Sequence, residues 1–95
     1  MRKYETMFIL NPELAIDTVK EIVEKIKAII EKSGEIESVE EWGKKKLAYT
    51  INNKYTEGYY VLMYFNANNE VLIDLEHEFK VNEGFIRHMI LSKED

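Results

Sequence analysis

Three consecutive lysines, Lys44-Lys45-Lys46, stand out in a chain whose formal net charge is −5. Successive residues of a strand point to opposite faces, so such a run can offer cations to phosphates from both sides. Trp42 just before them, with Leu47 and Tyr49 just after, adds aromatic and apolar surface. A blander reading is equally physical: lysines solubilise an exposed strand and block edge-to-edge association. Both readings stand on the residues alone. A second basic set, Arg2, Lys3, Arg87 and His88, comes from the two ends of the chain. If the first and last strands are neighbours, the four are expected to meet at one corner of a sheet. Arg there suits bidentate phosphate contact, whereas a solvated edge discouraging aggregation is the alternative.

Catalytic chemistry finds little support. His77 lies between Glu76 and Glu78 on a polar helix face, and neither it nor His88 has another His three or four residues away to share a metal. No Gly-rich phosphate loop, nucleophile elbow or HExxH motif is present. With no cysteine there is no disulfide, thiolate nucleophile or Cys-based zinc site. The expectation is a protein that is not an enzyme and takes no cofactor, metal or small-molecule substrate.

Ninety-five residues allow one core, so residues 1–95 are expected to form a single domain. The longest apolar run, residues 59–65, falls far short of the roughly 20 needed to span a membrane. The N-terminal residues lack the apolar stretch of a signal peptide. The expectation is a cytoplasmic domain without membrane contact. Net acidity argues at first against a polyanionic partner, but the charge is unevenly spread. Residues 13–41 hold nine acids against four bases, and residues 67–83 five against one. Residues 42–66 hold four bases against one acid. Acid gathers on segments that read as helices and base on segments that read as strands, so a basic side can still meet a polyanion and nucleic acid stays open.

The elements that must position these groups follow from periodicity. Residues 7–10, with Tyr4 and Thr6 before them, read as a buried strand stopped by Asn11-Pro12. From about Leu14 to Ser33, Val19, Ile22, Val23, Ile26, Ile29 and Ile30 trace one helical face, with Asp17 placed to cap the start and Gly34 following the end. Residues 35–51 read as a strand nearly three times the usual 5–6 residues. In it Ile36 and Trp42 share one phase of a period-two pattern, Leu47, Tyr49 and Ile51 share the other, and Val39 is out of step. The slip near Gly43 predicts a bulge. Residues 52–58 read as a turn, and residues 59–65, apolar on both phases, as a central strand. Asn68-Asn69 opens a second helix through Val71, Leu72, Leu75 and Phe79, and residues 85–91 form a last strand. The order β-α-β-β-α-β predicts an α+β, ferredoxin-like sandwich: a four-stranded antiparallel sheet with two helices on one face, first and third strands central. The other face is then open and partly apolar, which usually means a partner. Residues 57–64 occupy the place of an RNA-recognition signature but depart from it at Glu57 and Tyr60, so core packing of these tyrosines is the better reading.

Residues 1–7, Met-Arg-Lys-Tyr-Glu-Thr-Met, and residues 42–49, Trp-Gly-Lys-Lys-Lys-Leu-Ala-Tyr, resemble the bacterial small-subunit ribosomal protein six family. Residues 58–61 and 81–90, with Arg87, continue the resemblance in register over essentially the whole chain. It implies the same ferredoxin-like fold and a structural role: binding the central domain of small-subunit ribosomal RNA, together with ribosomal protein eighteen as a heterodimer, during subunit assembly. Carried onto this chain, it implies RNA-facing positions at Arg2, Lys3, Lys44, Lys45, Lys46 and Arg87, with His88 beside them. It implies a protein partner meeting the long second strand and open sheet through Trp42, Leu47 and Tyr49. Thr50 stands where the family often has proline, and the chain ends at Asp95, so contacts made by a longer tail would be missing. The rival readings are a small-molecule-binding or regulatory ferredoxin-like domain that dimerises through its open sheet, and an acylphosphatase-like enzyme. The latter needs an anion-cradling loop with Arg after the first strand, where this chain has Asn11-Pro12-Glu13.

Overall fold

Alternation along the first strand decides how the sheet is laid down. In β1 (Arg2–Leu10), Tyr4, Thr6, Phe8 and Leu10 are buried toward the helices, while Lys3, Glu5 and Met7 face the other way. β1 pairs antiparallel with β3 (Tyr55–Ala67) on one side and β4 (Phe85–Ser92) on the other, and β2 (Glu35–Ile51) adds outside β3. The strand order β2-β3-β1-β4 leaves β1 and β3 central, as the periodicity predicts. The structure, a computed structural model, describes residues 1–51 and 54–93, with side chains for 1–47 and 54–93.

Helices α1 (Ile16–Glu31) and α2 (Asn69–Val81) cover the face that carries Phe8, Leu10, Val61, Met63 and Phe65. Val19, Ile22, Val23, Ile26 and Ile30 supply the buried stripe of α1; Val71, Leu75 and Phe79 supply that of α2. β-Branched residues are weak helix formers, so tertiary burial must hold α1 together. Asp17 does not cap it. The N-cap is Ala15, without a side-chain bond, and Asp17 instead places its charge in the first turn, where the helix dipole favours it. Asn68 does cap α2: its Oδ1 accepts the Val71 N–H at 3.4 Å. Two polar groups go inside with partners. Thr6 Oγ1 donates to the Met89 carbonyl at 2.8 Å, and the buried Glu78 carboxylate meets Lys25 Nζ at 3.2 Å while accepting from Asn82 Nδ2.

Gly34 joins α1 to β2 where nothing larger fits. A Cβ there would lie 2.5 Å from the Asn66 carbonyl oxygen and 2.9 Å from that of Ile30. Backbone cannot yield as a flexible side chain does. Gly34→Ala is therefore expected to lose about 1–3 kcal/mol, as overpacking does, measurable by urea denaturation as a lower midpoint at unchanged slope.

β2 departs from the sequence reading in one respect. Its register against β3 shifts twice, between Ile36 and Ser38 and between Glu41 and Gly43, before a third shift beyond Lys46. The bulge at Gly43 is the expected one, with φ of +76° in the region that favours glycine. The earlier extra residue, Glu37, puts Ile36 and Val39 on the same core-facing side, opposite Phe65 and Met63. Val39 is thus in step with Ile36, and Trp42 is on the other face.

Candidate nucleic-acid interface

The basic run lies on an arm built from a single long hairpin. Lys44, Lys45 and Lys46 pair with Tyr59, Gly58 and Glu57, near the end of the sheet where β1 finishes at Leu10. All three lysines are exposed. Gly58 lets the strands pack tightly beneath them, since a Cβ there would meet Ile9 Cγ2 at 2.4 Å and the Leu10 carbonyl oxygen at 3.0 Å. Lys44 points to the helix side, its Nζ 5.3 Å from the centre of the Tyr59 ring. Strand alternation sends Lys46 the same way and Lys45 to the open side. The arm thus presents cations on both faces. Lys54, at its tip, places Nζ 5.3 Å from the Tyr55 ring centre and enlarges the patch.

Trp42 sits on the open side at the bulge. Its indole stacks on Tyr60 with ring centres 6.2 Å apart and planes 12° from parallel, and its Nε1 donates to Glu40 Oε1 at 3.1 Å. The side chain remains 45% exposed. Leu47 is half-buried on the same strand; the side chain of Tyr49, like the conformation of residues 52–53, lies outside the described residues.

The expected corner of Arg2, Lys3, Arg87 and His88 does not form. β1 and β4 run antiparallel, so the start of β1 meets the end of β4: Lys93 N–H donates to the Lys3 carbonyl at 2.9 Å. Arg87 pairs with Ile9 instead, six residues along β1 from Lys3, or roughly 20 Å. Arg87 shares a cross-strand row with Ile9, Tyr60 and Gly43, which puts it at the arm's end of the sheet, three strand spacings or about 14 Å from the bulge. Arg2 and Lys3 form a separate basic end with Lys93. There Glu5 Oε1 lies 2.9 Å from Lys93 Nζ and, by hydrogen bond and charge, raises that ammonium's pKa above its ordinary value.

His88 is on the wrong face for the basic set. Its ring stacks on Phe79 of α2 with centres 4.6 Å apart, and Nδ1 is buried without a hydrogen-bond partner among the described residues. An orphaned buried polar atom costs about 1–3 kcal/mol. His88→Phe keeps the stacked ring and removes the orphan, so it is expected to raise stability by about 1 kcal/mol and the melting temperature by roughly 4–8 °C. A thermal melt at fixed pH measures this, and RNA affinity should stay within about twofold.

The remaining face of the sheet is apolar. Met7, Ile9, Tyr60, Leu62 and Tyr64 line its centre, and Met89 and Leu91 are exposed at the β4 edge. Among the described residues, no cluster of three or more His, Cys, Asp or Glu able to hold a metal occurs and no helix is long and apolar enough to cross a membrane.

A four-stranded antiparallel sheet with two helices on one face, a basic hairpin arm and an apolar opposite face defines an α+β protein of ferredoxin-like class. Comparison with known proteins makes this particular. The profile of the family Ribosomal protein S6 matches residues 3–92, and the chain belongs to that family. It is 50% identical to the small ribosomal subunit protein bS6 of Clostridium novyi, over 99% of both chains. It is 47% identical to that of Thermoanaerobacter pseudethanolicus over the whole of both. Among solved structures, 30S ribosomal protein S6 from Thermotoga maritima superposes with a TM-score of 0.90 at 36% identity, covering 97% of this chain and 87% of that one. Membership makes the chain a structural protein of the small ribosomal subunit rather than an enzyme. The ligand-binding and acylphosphatase-like readings fall with it.

Proposed function

We propose that the chain binds the central domain of small-subunit ribosomal RNA jointly with ribosomal protein eighteen during assembly in the bacterial cytoplasm, residues 1–95 acting as one unit. The observation that carries this reading is the arm, where Lys44, Lys45 and Lys46 are all exposed, side by side and divided between two faces. Phosphates on a curved RNA surface can meet such a blade from both sides. Arg87 extends the contact at the same end of the sheet, and Arg2 and Lys3 form a second contact at the other. His88 is left out because its ring is committed to Phe79.

Ribosomal protein eighteen is proposed to cover the open sheet, with Leu47 and Tyr49 at its margin and Trp42 where that margin meets the lysines. The exposed Met89 and Leu91 continue the surface. Joint binding also accounts for the acidity. The two helices hold eight acids against four bases, and a net −5 chain with few phosphate contacts gains affinity when a basic partner supplies more. Hydroxyl-radical footprinting of the small-subunit RNA tests the reading. Protection confined to the central domain, and present only with both proteins, is expected; protection elsewhere, or none, would refute it.

A further inference from the structure

We propose that Trp42 is a stacking platform for one unpaired RNA base, with Lys45 holding the phosphate of the same nucleotide. The inference rests on the RNA-binding reading above and adds to it a contact that charge alone does not provide.

The geometry has three parts. One face of the indole is backed by Tyr60, which lies nearly parallel at 12°, and its N–H is occupied by Glu40, so the ring is held in one orientation. Its exposed portion opens onto a surface cavity of about 420 Å³ that Lys45 also lines. That space is ample for a nucleobase. Gly43, between them in sequence, leaves open space where a Cβ would be, with nothing within 4 Å. The bulge at Gly43 brings the two together: Trp42 is the extra residue of the register shift, and Lys45 follows on the open side. A pre-positioned aromatic face with an adjacent cation is what an unstacked base and its phosphate require. The preference over a protein contact comes from that cation, since Lys45 lines the same open-side space as the indole and offers a charge that an apolar protein surface would leave unpaired.

Trp42 is the chain's single tryptophan, so its emission reports on this site alone. The test titrates the central-domain RNA fragment into the chain bound to a tryptophan-free form of ribosomal protein eighteen. Fluorescein-labelled RNA gives binding by anisotropy in parallel. Stacking predicts strong quenching of Trp42 that saturates with RNA binding. Trp42→Phe should keep affinity within about threefold, whereas Trp42→Leu, apolar but unable to stack comparably, should weaken it roughly tenfold with an unchanged salt slope. Lys45→Ala should weaken binding and lower the slope by about 0.7–0.9. RNA binding with Trp42 emission unaltered would overturn the stacking proposal and leave the RNA reading intact. A blue shift on adding ribosomal protein eighteen, with no change on adding RNA, would overturn it by assigning Trp42 to the protein interface. Absence of any RNA binding by the wild-type pair would overturn both.

Discussion

Replacing Lys44, Lys45 and Lys46 together by alanine is expected to reduce the slope of log K against log salt by about 2–3 for RNA binding in the presence of ribosomal protein eighteen. Each phosphate contact releases close to one condensed counterion, and the three ammonium groups are exposed on the arm, with Glu57 the carboxylate opposite Lys46. Affinity should fall most at low salt and converge toward wild type as salt rises. Fold stability should change by no more than about 1 kcal/mol, since exposed substitutions away from caps and cores do little. Lys44 gives up its position over Tyr59, a contact worth only about 0.5–1 kcal/mol at an exposed site. A filter-binding or anisotropy series between about 50 and 200 mM salt reads the slope directly. If affinity and slope match wild type, the lysines are a solubilising edge, and Arg2, Lys3 and Arg87 become the groups to change next.

The largest effect on stability is expected at Phe8. It is fully buried, and its ring meets Phe79 at 5.9 Å and Phe85 edge-on at 5.3 Å; those two rings are themselves 4.9 Å apart and perpendicular. The trio joins a central strand, the second helix and an edge strand. Phe8→Ala removes the member on β1, which hydrogen-bonds to strands on both sides and has little freedom to collapse into the space. The loss should be about 3–5 kcal/mol, a large part of what holds a domain of this size. The melting temperature should fall by roughly 12–40 °C. A calorimetric or circular-dichroism melt checks this, and a fall of only a few degrees would mean that the trio is not the junction its geometry indicates. Any loss of RNA binding by this variant should track unfolding and disappear on cooling, unlike the loss from the lysine triple variant.

The contrast between these two variants reflects what can be read from residues alone. The helices and strands are legible because their apolar residues repeat at three-and-four or at two, and local spacing reports local geometry. The bulge at Gly43 shows itself through a glycine coinciding with a phase change. The one at Glu37 does not, because a single Val39 out of step looks the same whether the strand slips once or the residue is merely exposed. Start points are similarly weak: β3 begins at Tyr55, where Asn, Gly and polar residues suggest a longer turn. Nothing in residues 52–58 announces that the hairpin continues as an arm.

The candidate interface divides along the same line. The lysine run is local, and its alternation between faces follows from the strand. Whether Arg87 stands beside Lys3 or six residues away depends on antiparallel register, set by the packing of β1 between its two neighbours. His88 illustrates the same non-local dependence. Beside Arg87 in sequence, it faces α2 because adjacent strand residues point oppositely, and only the path of α2 puts Phe79 against it. The stack of Trp42 on Tyr60 requires both the bulge and the pairing of Gly43 with Tyr60, so neither aromatic reveals it singly.

The measurement that bears most directly on the account is the affinity of the chain for the central-domain RNA fragment at physiological salt, with and without ribosomal protein eighteen. A net acidic chain with a handful of phosphate contacts should bind weakly by itself and tightly only as half of a pair. The account therefore predicts little binding alone and a gain of at least about a hundredfold when the second protein is present. Tight binding by the chain alone, unchanged when ribosomal protein eighteen is added, would contradict it.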